Sequence, residues 1–163
     1  MTFRVAVPIQ DGTLPVAETK SPVVAAGRRA NGNLYNLRVL LVDDEPDARE
    51  ALMGILQHYG ATVRTAGSAA EAIAALQHEP VDVLLADIGM PGADGYDLIR
   101  YVRALDSVPA AKVPAVAVTA FASEADRRRA LAAGFQMHLS KPVDPVSLVA
   151  AVAALAGPAP SVR

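Results

Sequence analysis

Apolar and polar positions along this chain fall into a repeated pattern: a short apolar run that stops at a polar residue, then a stretch of helical period. Val39-Leu40-Leu41-Val42 stops at Asp43-Asp44, and Val81 to Ala86 stops at Asp87. Val113 to Val118 stops at Thr119, and Gln136 to Ser140 stops at Lys141. Short runs rich in Val and Leu, bounded by helix-start signals, predict buried strands. The expected strands are Arg38 to Val42, Thr62 to Thr65, Asp82 to Ala86, Ala115 to Val118 and Gln136 to Leu139.

Helical periods fill the intervals. Pro46, at a first helical position, opens a helix to about Tyr59 with Ala51, Leu52, Ile55, Leu56 and Tyr59 as its inward stripe, and Gly60 ends it. Ser68 with Glu71 three residues on reads as a capping box for a second helix carrying Ala72, Ile73 and Leu76 inward. A third helix covers about Tyr96 to Leu105, after a Gly- and Pro-dense loop. The fourth is capped by Ser123 and ends at Gly134, and the fifth starts at Asp144-Pro145 and ends before Gly157. Five strands alternating with five helices predict an α/β fold, a parallel sheet covered on both faces. With right-handed crossovers, the flavodoxin-like (βα)5 three-layer sandwich with strand order 2-1-3-4-5 is expected. That order brings Asp43, Asp44 and Asp87 together.

Residues 1–36 differ. Phe3, Val5, Val7 and Ile9 alternate with polar or small residues as in one edge strand, and the Pro-, Gly-, Ala- and Asn-rich stretch from Thr13 to Asn36 reads as a linker. The expected organisation is an extension and linker over 1–36, a folded domain over 37–157 and a tail over 158–163.

Composition narrows the function classes. The 163 residues carry a net charge of −2 with acids and bases interspersed, which argues against a nucleic-acid or anionic-membrane partner. Cysteine is absent, so disulfides and thiolate metal sites are excluded, and a cytoplasmic setting fits. No apolar run approaches the roughly 20 residues of a membrane span.

The strand ends carry the chemistry. Three carboxylates within a few Å raise one another's proton affinity, a cost that a cation removes. Oxygen ligands without nearby His or Cys select a hard ion such as Mg²⁺. The plain alternative, that Asp44 caps the first helix, fits a lone acid better than the set Asp43, Asp44, Asp87 and Lys141. Asp87 is the candidate nucleophile for an acyl phosphate, with Gly89, Gly92 and Gly95 leaving its surroundings open. Lys141 would supply a point charge and Thr119 a hydroxyl donor to the phosphoryl oxygens, while Ala120 is small enough to admit a donor.

Leu41-Val42-Asp43-Asp44-Glu45, Asp87-Ile88-Gly89-Met90-Pro91, Val118-Thr119-Ala120 and Ser140-Lys141-Pro142 together make residues 38–156 resemble the receiver domain of two-component response regulators. The resemblance implies that Asp87 accepts a phosphoryl group from a phosphohistidine of a histidine kinase or histidine phosphotransfer domain. It implies Mg²⁺ on Asp43, Asp44, Asp87 and the main-chain carbonyl of Gly89, with Thr119 and Lys141 as phosphoryl contacts. On activation the face made by the fourth helix, fifth strand and fifth helix would shift, and that face is a possible dimer surface. Where the family usually has an inward-turning Tyr or Phe, this chain has His138, read as a partly buried imidazole hydrogen-bonded at the sheet edge, alternatively as the switch paired with Thr119. Phe121 is a second candidate for the mobile aromatic.

Residues 1–8 resemble the last strand of the ATP-binding domain of sensor histidine kinases, so the chain is expected to be the receiver of a hybrid histidine kinase. The alternative is a stand-alone single-domain response regulator. As this chain it is not an enzyme beyond self-catalysed phosphotransfer and dephosphorylation. The fifth helix lacks Lys, Arg and Glu after Asp144, and only seven residues follow Ala156, so a transcription-factor reading has no support within the chain. Two rivals of other classes remain: a Mg²⁺-dependent aspartyl-phosphate phosphatase, which would want an acid at Gly89, and an interaction module with vestigial acids. His58 and His78 are read as ordinary helix-end residues, and Arg127-Arg128-Arg129 as a solvated face.

Overall fold

The computed structural model describes residues 33–106, 108–120 and 123–156. The proposed edge strand at residues 1–10, most of the linker, Phe121 and the tail lie outside the described residues. Five strands, β1 (Arg38–Val42), β2 (Thr62–Ala66), β3 (Val83–Asp87), β4 (Ala115–Thr119) and β5 (Met137–Ser140), form one parallel sheet in the order β2-β1-β3-β4-β5. Helices α1 (Pro46–His58), α2 (Ala69–His78), α3 (Gly95–Arg103), α4 (Glu124–Ala133) and α5 (Pro145–Ala156) connect and cover it, with a short helical turn at Val108–Ala111 that the sequence pattern does not announce.

The period-two alternation along buried strands sorts the core into two sides. Leu40, Val42, Leu84, Ala86, Ala115 and Ala117 meet α2, α3 and α4. Val39, Leu41, Val83, Leu85, Val116 and Val118 meet α1 and α5. Both sides of β1, β3 and β4 are therefore dry, which is why these strands read as unbroken apolar runs. Ala51, expected to face inward, is exposed. The buried stripe of α1 is centred on Leu52 and Leu56, with Met53, Ile55 and Tyr59 at its margins, and Ala51 falls outside that arc.

Helix ends follow local chemistry. Ser68 accepts from the Glu71 amide, Ser123 from the Asp126 amide and Asp144 from the Ser147 amide. The Glu71 carboxylate reaches one residue further back than a capping box would take it, to the Gly67 amide. A reciprocal box between Asp94 and Asp97 starts α3 at Gly95, and i→i−3 bonds at Ala104 and Leu105 tighten its end before Leu105.

The folded unit takes in more of the supposed linker than its composition suggests. Leu34 is fully buried (0% exposed) among the α1 and α5 side chains, and its amide donates to the Tyr59 carbonyl at 2.8 Å. Gly60, at φ 102°, carries the Tyr35 ring so closely that a Cβ there would sit 2.6 Å from it.

Candidate functional site at the carboxyl ends of the strands

Parallel register sets up the site. Val42 pairs with Ala86, so the next residues, Asp43 and Asp87, leave the two central strands side by side. Asp87 is level with Val118 and Thr119 with Ser140, which delivers Thr119 and then Lys141 to the same rim. Asp44, Glu45, Pro46, Asp87, Gly89, Thr119, Ala120 and Lys141 line a cleft of about 540 Å³. Ligand oxygens of Asp43, Asp44 and Asp87 all lie within 4.8 Å of one another.

Each buried acid has one oxygen tied down by a main-chain amide and one beside Lys141. The Glu45 amide donates to Asp43 Oδ1 at 2.9 Å, and the Gly89 amide donates to Asp87 Oδ1 at 2.9 Å. The Lys141 ammonium stands 3.2 Å from Asp87 Oδ2 and 3.5 Å from Asp43 Oδ2. Asp43 is 1% exposed, and its Oδ2 is buried with no hydrogen-bond partner. Burial pushes the Asp43 carboxyl above the usual carboxylate range; the Asp87 and Asp44 charges add to that, against the Glu45 amide and Lys141. Burial alone would pull Lys141 down, but its hydrogen bond to Asp87 and the charges of Asp87 and Asp43 hold it above the ordinary lysine value.

The sequence-predicted residues converge, with corrections. Asp44 caps nothing: the residue at the α1 cap is Glu45, without a side-chain cap bond. Gly95 does not serve openness. Its Cα packs so tightly on the preceding loop that a Cβ would lie 2.8 Å from the Asp87 carbonyl oxygen, whereas Gly89 is open. His138 sits one row below the cleft, level with Ala117, and its buried Nε2 has no hydrogen-bond partner, against the hydrogen-bonded imidazole expected. His58 and His78 are exposed at the carboxyl ends of α1 and α2, the pole away from the cleft. Arg127 pairs with Glu124 and Arg129 lies over the Tyr96 ring, which leaves no shared basic face. The Lys141–Pro142 bond is cis. Sequence reasoning missed Arg49, whose guanidinium donates to the Asp43 carbonyl at 2.7 Å; its place in the first turn after two adjacent acids was the available signal.

Residues 39–153 match the family described as response regulator receiver domain. The chain belongs to that family. The receiver is 43% identical over 116 residues to an uncharacterized 14.6 kDa protein of Leptolyngbya boryana, covering 71% of this chain and 87% of that protein. It is 35% identical over 108 residues to the sensor histidine kinase RcsC of Salmonella typhimurium, where those residues cover 66% of this chain but 11% of the kinase. Chemotaxis response regulator CheY4 of Vibrio cholerae superposes with a TM-score of 0.64 at 30% identity, over 69% of this chain and 92% of that one. A receiver domain of two-component signalling is therefore what this fold and rim constitute. The phosphatase reading finds no support, with Gly89 where that chemistry wants an acid. Among the described residues, no helix is long and apolar enough to cross a membrane.

The donor set fits a hard cation. Three carboxylates supply oxygen alone, and one of their oxygens, Asp43 Oδ2, is buried without a hydrogen-bond donor.

Proposed function

We propose that this receiver accepts a phosphoryl group on Asp87 from the phosphohistidine of a histidine kinase or histidine phosphotransfer domain, with Mg²⁺ held by Asp43, Asp44, Asp87 and the Gly89 main-chain carbonyl. The observation that carries this is the convergence of three carboxylate oxygens within 4.8 Å on a rim that also holds Lys141 and Thr119. An Asp87 carboxylate oxygen attacks phosphorus in line. The bond from phosphorus to the imidazole nitrogen breaks, its electron pair returns to the ring, and that nitrogen takes up a proton. The cation, when bound, neutralises part of the charge on the phosphoryl oxygens. Lys141 leaves Asp87 Oδ2 for a phosphoryl oxygen, and the Thr119 hydroxyl donates to another.

Output follows from a two-state shift biased by those contacts. Thr119 and His138 are the switch pair: alternation along β4 and β5 puts both on the α3–α4 side of the sheet, with Ala117 level with His138. The surface that changes is α4, β5 and α5, where Val146 is 73% exposed and no charged residue occurs from Pro145 to Ala156; pairing with a second copy would use this face. The setting is cytoplasmic, with no nucleic acid bound by this chain. A hybrid histidine kinase is the favoured parent, supported by the similarity to a sensor histidine kinase; a stand-alone regulator is the alternative.

The test is intact mass after incubation with Mg²⁺ and acetyl phosphate, beside Asp87→Asn. One phosphoryl group gained by the native protein and none by the variant is expected. Equal gain in both would move the acceptor elsewhere.

A further inference from the structure

Asp44 is the least supported member of the acidic cluster. It is exposed, caps no helix, and comes just after the last main-chain bond between β1 and β2, which the Asp43 amide donates to the Ala66 carbonyl at 3.1 Å. The direction of its side chain depends on the peptide plane joining Asp43 to Asp44. One atom of that plane, the Asp43 carbonyl oxygen, accepts from Arg49 Nη1 at 2.7 Å. Arg49 is half-buried on the first turn of α1 and folds back over the loop that leads into its own helix. The same nitrogen lies against the β2–α2 loop, where a Cβ on Gly67 would sit 3.2 Å from Nη1. The Glu71 carboxylate in turn takes the Gly67 amide at 2.8 Å, fixing that backing loop.

We infer that Arg49 is a positioning residue for the cation site: by holding the Asp43–Asp44 peptide plane it aims the Asp44 carboxylate at the oxygens of Asp43 and Asp87. The inference rests on the cation site proposed above. Side chains that orient ligands without touching a metal commonly contribute about 10- to 100-fold to its affinity, because an unheld ligand must be ordered when the ion binds. Arg49 also brings a positive charge towards three acids. By charge alone its removal would strengthen cation binding. By orientation its removal weakens binding. The two accounts differ in sign, so the direction of the change in affinity separates them.

The experiment is calorimetric titration of Mg²⁺ into the full chain, with no phosphoryl donor present, at about 0.15 M salt. Arg49→Met is expected to bind Mg²⁺ roughly tenfold more weakly. Arg49→Lys, which keeps one donor and the charge, is expected to stay within about threefold of native. Gly67→Ala, whose Cβ would crowd the donating Nη1 at 3.2 Å, is expected to weaken binding in the same direction by a smaller factor, and it reports on the contact even where Arg49→Met fails to fold. Native or tighter affinity in Arg49→Met, or in Gly67→Ala where that variant alone is folded, overturns the inference. No heat in the native protein itself would instead overturn the cation site. As a second readout, the phosphorylation rate of Arg49→Met with acetyl phosphate should recover to near native at saturating Mg²⁺; a loss that saturation does not restore would place Arg49 outside this role.

Discussion

The Lys141 ammonium rests 3.2 Å from Oδ2 of Asp87, the one carboxylate oxygen that the Gly89 amide leaves open. The lysine thus balances the charge of the acids, so a cation held by the same carboxylates would compete with it. Lys141→Met should therefore bind Mg²⁺ more tightly, by about tenfold, in line with the effect of one adjacent charge. Phosphorylation by acetyl phosphate should fall by about 100-fold, since a donor to the transferred group is lost. Calorimetry and intact mass read the two effects separately. Unchanged Mg²⁺ affinity would mean that the ammonium does not compete.

Gly95→Ala should damage the site from the backbone. Its Cβ would lie 2.7 Å from Ile88 Cα and 2.8 Å from the Asp87 carbonyl, and neither atom can swing away as a side chain can. A loss of about 1–3 kcal/mol is expected by urea unfolding, with slower phosphorylation. Gly89→Ala, whose Cβ would meet Asp87 Oδ1 at 3.7 Å, is the matched control and should stay within about 0.5 kcal/mol of native.

Leu34→Ala should cost about 2–4 kcal/mol, the usual range for truncating a buried leucine. A surface residue would cost nothing measurable, so the urea midpoint decides whether residues before 37 belong to the folded unit. Leu34 is in the core because its amide bonds to Tyr59 and its side chain meets α1 and α5.

Arg103 fastens the pole opposite the cleft. Its guanidinium donates to the carbonyls of Ala111, Val113 and Gly134 and to Gln136 Oε1, and burial lowers its pKa from the ordinary arginine value. Among the described residues no carboxylate pairs with it; the fork is satisfied by dipoles. Arg103→Met leaves those acceptors unpaired and should cost about 3 kcal/mol. Arg103→Lys should recover only part of that, because a point charge cannot reproduce a planar fork. Thermal or urea unfolding of the two variants side by side is the check.

Tyr96 gives a pH dependence away from the cleft. Burial raises its phenol above the ordinary tyrosine value, with the Arg129 charge over its ring acting the other way. Above about pH 10 the unfolded chain ionises at this position and the folded one does not. Stability should then fall as pH rises from the ordinary tyrosine value through the raised one. Tyr96→Phe should flatten that alkaline decline when urea midpoints are compared across it.

The sheet was legible because its central strands are dry on both faces and end at chemistry. Asp43, Asp87 and Thr119 are each the first polar residue after an apolar run, and Lys141 follows directly on β5, so parallel register alone aligns them. Arg49, Arg103 and Gly95 were not legible in the same way. Their partners are main-chain atoms of Asp43, of Gly134 and of Asp87, and a main-chain atom leaves no residue-type signal. Leu34 was hidden by its Gly- and Asn-rich neighbours, whose composition outweighed one leucine. His138 could be placed on β5 by pattern, but whether its ring nitrogen finds a donor or acceptor depends on packing that the pattern does not carry.

The bond from Leu34 to Tyr59 also determines where the domain is leashed. Residues 34–37 lie before β1, at the amino ends of the strands, so the chain enters at the back while Asp87 stands at the front. A five-residue strand spans about 16 Å. A phosphohistidine carried upstream on the same polypeptide must swing round the flank of the sheet to reach Asp87. The length and stiffness of the intervening chain would then set its effective concentration at the acceptor, and a leash too short to round the flank would hand the transfer to a neighbouring molecule.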